Sequence, residues 1–147
     1  MKTIIIILLL GISLSYNPIA SVNYARKYCN TYNPKYYNYN PMGGDCANFV
    51  SQCMAAGGQD FHGCNGVDPK GMIPHVPSLK ACLSKKKWKH SLSKPVNFKA
   101  GYPIFLKSNL HGMLATGIDG NNIIYCSHNA DRCNGKISSS SVEFYYL

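Results

Sequence analysis

Residues 44–58 read "GDCANFVSQCMAAGG". Asp45 stands where a helix N-cap is expected, Phe49, Val50, Cys53 and Met54 form an apolar stripe at helical spacing, and Gly57-Gly58 supplies a stop. The stretch therefore predicts an amphipathic helix that begins at Cys46. The first turn of a helix gathers unpaired backbone N–H groups and positive partial charge, which favour a thiolate over a thiol. Cys46 lies in that turn, so it reads either as half of a disulfide or as a free thiol held for chemistry. Cys53, seven residues on, falls on the core side and reads as a buried structural cysteine or a bridge partner.

Toward the N-terminus, "NPIASVNYARKYCN" (17–30) places Asn17 as N-cap and Pro18 at the first helical position, with Ile19, Val22, Ala25 and Cys29 on one stripe. The following "TYNPKYYNYNPMGG" is a loop by composition. From 59 to 99, glycine, proline and lysine dominate and only "VPSLKACLS" suggests a short helix, so this stretch reads as an irregular excursion pinned by disulfides. Beyond it the character changes: "YPIFLKS", "HGMLATGID", "NIIYCSH" and "SVEFYYL" are short apolar or alternating runs, with Asp119-Gly120 as a hairpin signal between the second and third. Helices first and an antiparallel sheet afterward predict an α+β fold.

The chain opens "MKTIIIILLLGISLSYNP", one lysine followed by an uncharged apolar run of about 11 residues and then small residues, the tripartite form of a secretory signal peptide. That run is shorter than the roughly 20 residues a membrane-spanning helix needs. The expected organisation is a signal peptide over 1–15 and a single domain over 16–147, secreted, not inserted in a membrane and monomeric. Removing Lys2 with the leader takes the formal charge from +9 to +8, which suits an anionic surface such as a cell wall or acidic glycan. Nucleic acid is excluded because the basic residues are scattered outside "KKKWK" and no helix-turn-helix, zinc-finger or RNA-binding signature accompanies them. Seven cysteines in an oxidising compartment allow three bridges and leave one thiol over. Cys126 and Cys133, which bracket a short polar loop, form the best local pair.

A nucleophilic Cys46 needs an imidazole to take its proton and pass it to a leaving amine. His62, His75 and His90 lie in the irregular middle, where solvated histidines are the ordinary expectation. His111 heads one strand and His128 ends the next, eight residues either side of the Asp119-Gly120 turn. That symmetry predicts neighbouring imidazoles, His111 as base and His128 fixing its tautomer. Zinc is the competing use of Cys46, His111 and His128, but no CxxC or HExxH spacing is present, and no metal or cofactor is expected.

"GGDCANFVSQCMAAGG" resembles the putative amidase domain family, whose signature runs D-C-T-N-F-V-S-Q-C, and more distantly the NlpC/P60 and CHAP cysteine peptidases. "NYARKYCNTYNPKYY", "HGMLATGID" and "YCSHNADR" are similar to further segments of that family. Two positions depart from its pattern: Tyr102 stands in place of an acid before the second strand run, and Gly112 follows the histidine. The resemblance implies a papain-like α+β fold, with Cys46 as nucleophile, His111 as base and a polar third member on the adjoining strand. His128 is preferred for the third member and Asn129 competes with it, since a Cys-His-Asn set is the papain arrangement. Asn40, six residues before Cys46, is the nominee for a second oxyanion donor, and Tyr37 or Tyr39 for a wall of the cleft. The implied activity is a secreted cysteine amidase or peptidase acting on a peptide or peptidoglycan-like amide. The alternatives are acyl transfer to an amine through the same residues, or a disulfide-rich binding module without catalysis.

Overall fold

In a computed structural model, which describes residues 15–147, the helices come first and the sheet last, as expected of an α+β chain. Most of the expected signal peptide lies outside the described residues. Helix α1 (Pro18–Tyr28) starts at Asn17, whose side chain accepts the Ala20 N–H at 3.1 Å. Helix α2 (Cys46–Ala56) is buried along its first nine residues, and α3 (Val76–Lys85) is the helix suggested by "VPSLKACLS". Helix α2 ends in a Schellman motif: Gly58 takes φ +94°, its N–H bonds the Ala55 carbonyl, and the Gln59 N–H reaches back to Met54 O at 3.0 Å. Gly57 serves closeness instead, because a Cβ there would collide with Tyr16 and Ser21 at the start of α1.

Six antiparallel strands follow: β1 (Lys89–Ser91), β2 (Pro103–Leu106), β3 (Gly112–Asp119), β4 (Asn122–Ser127), β5 (Arg132–Ser138) and β6 (Val142–Tyr146). They pair in the order β1-β6-β2-β3-β4-β5. Helices α1 and α2 pack on each other and on β3 and β4, with Phe49, Val50, Met54, Leu114 and Cys126 in one apolar core. Two strands were not expected from the sequence. Strand β1 has only three residues, and β5 is an edge strand with the burial of a polar ribbon, where Gly135 leaves room for the Tyr125 ring.

The β3–β4 hairpin departs from the expected register. Asp119 pairs with Asn122, so Gly120 and Asn121 make the turn, and a bulge between Ala115 and Gly117 shifts the ladder to Leu114 opposite Cys126. Counting on from that pair sets Gly112, not His111, opposite His128.

The cysteines also differ from the expected pairing. Two bridges form, Cys29–Cys133 and Cys64–Cys82, while Cys46, Cys53 and Cys126 are free and buried. Cys133 is drawn to the end of α1, and the Cys126 thiol donates to the Cys133 carbonyl at 3.1 Å instead of bonding its sulfur. The basic run 85–90 is divided among separate duties. Trp88 is buried with its indole N–H on Gln59, Lys86 pairs with Asp60 and Lys89 lies over Tyr146. Among the described residues no helix is long and apolar enough to cross a membrane.

Candidate active site

Cys46 is the first residue of α2 and lies on a cleft of about 340 Å³. The loop before α2 supplies Tyr39, Met42, Gly43 and Gly44, the start of α3 supplies Pro74 to Pro77, and the strand ends supply Leu110 and Asn129. The sharp entry into α2 depends on Gly43 and Gly44, with φ +104° and +139°, values that side chains disfavour.

Asp45 occupies the N-cap position, yet its carboxylate makes no capping bond to the helix. Oδ1 accepts the Tyr39 N–H at 2.9 Å and an Asn48 side-chain N–H at 2.8 Å, and Oδ2 meets His128 Nδ1 at 2.5 Å. The first-turn amides of α2 are therefore left without a side-chain acceptor, at the positive end of the helix dipole. Both carboxylate oxygens of Asp45 are thus occupied away from the helix start.

His128 is buried at 1 % exposure, its ring stacked on Phe49 with centroids 4.1 Å apart and packed beside Tyr32. Nε2 bonds the Tyr28 carbonyl at 2.8 Å, so both ring nitrogens are engaged, one by Asp45 and one by the end of α1. Neither engages the His111 ring. The turn at Gly120-Asn121, one residue later than Asp119-Gly120, is the physical reason that the expected symmetry is not realised: it offsets the ladder by two residues, and the bulge in β3 takes back one of them.

His111 directly follows Leu110, whose carbonyl accepts the Cys46 thiol at 3.9 Å. No hydrogen bond joins the Cys46 and His111 side chains; such contacts commonly tighten only when substrate is bound. The His111 backbone is fixed by the Leu106 N–H on its carbonyl and by its own N–H on Asn109 O, both at 3.0 Å. Burial holds its imidazole below the ordinary histidine value of 6.5, favouring the neutral form a base requires.

Asn129 lines the cleft with Cys46, and its Oδ1 accepts the Asp45 N–H at 2.8 Å. Asn40 opens a 3₁₀ turn (Asn40–Met42), is exposed, and is not among the cleft walls, which its neighbours Tyr39 and Met42 build instead. Tyr39 is anchored by its hydroxyl on Asp68 at 2.9 Å, and burial together with that carboxylate pushes it up to about 12. Tyr37 is not a cleft wall. His75, read in the sequence as an ordinary solvated histidine, stands at the start of α3 on the cleft; nothing in its local sequence points there. Among the described residues no group of three His, Cys, Asp or Glu side chains is placed to hold a metal ion.

A family model with the description "putative amidase domain" matches residues 15–145. The uncharacterized protein YhbB of Bacillus subtilis (strain 168) is 40 % identical over 53 residues, which make up 36 % of this chain and 16 % of that protein. The matched stretch thus spans about one sixth of the length of that relative. No solved structure matches the chain.

Proposed function

The chain belongs to the putative amidase domain family, and from that premise we propose that it is a secreted cysteine-dependent hydrolase of peptide amides, with Cys46 as nucleophile and His111 as base. The observation that carries the reading is the unbridged Cys46, set at the uncapped start of α2 on a cleft, with its thiol on the carbonyl of Leu110, the residue that precedes His111 in the chain. His111 takes the thiol proton as sulfur attacks the carbonyl carbon, and the carbonyl π pair moves onto oxygen. When that pair returns, the C–N bond breaks and the amine leaves with the proton from His111, giving a thioester. Water, deprotonated by His111, then attacks the thioester carbonyl, and the acid leaves while Cys46 recovers its proton. His128 serves this site through Asp45, by fixing the residue next to the nucleophile.

Two disulfides and a strongly basic surface support an exported protein acting on an anionic material, and a cell-wall peptide is the substrate class these features suit. The test is a zymogram on cell-wall material with the wild-type protein and Cys46→Ala. Clearing by the wild type alone is expected. Clearing by both would remove the cysteine from the mechanism, and a product bearing an added amine would assign the same site to acyl transfer.

A further inference from the structure

Asn129 offers a geometry that neither an orienting side chain nor a simple structural tie accounts for. A backbone N–H can only donate, so the Asn129 atom 2.8 Å from the Asp45 amide must be Oδ1, which fixes the orientation of the carboxamide. The NH₂ group is thereby turned the other way, over Gly44. A Cβ added to Gly44 would fall inside the van der Waals radius of Asn129 Nδ2, so glycine is the one residue that lets the amide sit there. Gly44, Cys46 and Asn129 all line the same cleft, and Nδ2 makes no hydrogen bond to any of the described residues.

The backbone that carries Asn129 is strained for this placement. Asn129, Ala130 and Asp131 have φ of +64°, +91° and +28°, three successive non-glycine residues with positive φ directly after buried His128. Asparagine and aspartate tolerate positive φ better than alanine does, and backbone strain of this kind clusters at functional sites.

We infer that the Asn129 side-chain NH₂ is the second oxyanion donor of the Cys46 site, acting with the Cys46 backbone N–H. The inference rests on Cys46 being the nucleophile. As sulfur bonds to the carbonyl carbon, the π pair localises on the carbonyl oxygen, and the two N–H donors, one from the helix start and one from the carboxamide moored to the preceding residue, receive that charge. The same geometry argues against Asn129 as the orienter of His111. An orienting asparagine presents its oxygen to the ring, and here that oxygen is committed to the Asp45 amide.

Two probes separate the roles on the intact protein. p-Nitrophenyl acetate acylates a thiol through a tetrahedral oxyanion, whereas iodoacetamide alkylates it by displacement at a saturated carbon with no oxyanion. Asn129→Asp keeps an oxygen for the Asp45 N–H and loses the donor; Asn129→Gly removes the amide at a φ that glycine accepts. With each rate taken at the plateau of its own pH profile, both variants should lower the ratio of acylation to alkylation on the order of 10²-fold. A ratio within about 3-fold of wild type in the two variants overturns the inference. So does a shifted acidic limb of the alkylation profile with the ratio unchanged, which would make Asn129 an orienter of His111. Absence of any Cys46-dependent acylation in the wild type, judged against Cys46→Ser, overturns the nucleophile reading and this inference with it.

Discussion

The Asp45–His128 pair is the most consequential contact at the scale of single residues, because two buried ionisable side chains meet one position before the thiol. Removing one partner strands the other in a buried site. His128→Phe keeps the ring between Phe49 and Tyr32 but deletes both nitrogens, and should cost about 3–5 kcal/mol in urea unfolding. Adding Asp45→Asn should recover more than about 1 kcal/mol of that loss, since it removes the uncompensated charge. His111 makes a second prediction. Its folded value lies below the ordinary 6.5 because burial disfavours the imidazolium, so the acidic limb of kcat/KM should have its midpoint below 6.5. The sign for stability follows from the same shift: the unfolded chain binds the proton first, and stability falls as pH drops from 6.5 through the lower folded value. Comparing wild type with His111→Asn in pH-dependent unfolding isolates this term.

Among the elements, α2 was the most legible, because Asp45, the apolar stripe and Gly57-Gly58 are local signals that agree. The placement of its chemistry was less so. One residue inserted at the β3 bulge moves the ladder, and a pairing argument that counts symmetrically from a turn cannot detect it. The turn also falls one residue later than Asp119-Gly120, and the bulge restores only part of that displacement, so Gly112 and not His111 comes opposite His128. Strand β5 escaped notice for a related reason: Gly135 and the charged or polar residues around it carry little strand signal, and the strand is held by pairing with β4 and by Cys133. Helix α3 and β1 are fastened to β6 through Glu143, which is bonded by Lys80 and, at 2.6 Å, by His90. Burial alone would raise Glu143, but the Lys80 and His90 bonds outweigh it and hold the carboxyl below its ordinary 4.5. A depressed carboxyl stabilises the fold above 4.5, and that contribution is lost as pH falls through the lower folded value. Glu143→Gln should therefore cost about 1–3 kcal/mol at pH 7, with the difference closing in acid, as read by thermal melts across pH.

For the whole molecule, the Cys29–Cys133 bridge spans 104 residues and joins the end of α1 to the edge strand β5. Cys29→Ser with Cys133→Ser should lower stability by about 2–5 kcal/mol, measured by denaturant unfolding under non-reducing conditions. The sequence foretold that bridges form but not which, because Cys126 and Cys133 look like natural partners until the sheet assigns them separate tasks. That pair has a practical corollary for anyone preparing the protein from inclusion bodies. Seven thiols compete while the chain is loose, and the nearest in sequence meet soonest, so the earliest oxidised species should carry the Cys126–Cys133 and Cys46–Cys53 crosslinks, each between cysteines seven residues apart, and the first must be undone before α1 can be fastened. A glutathione shuffling buffer, rather than air, is the sensible route to natively bridged material, and replacing Cys126 with alanine should raise its yield.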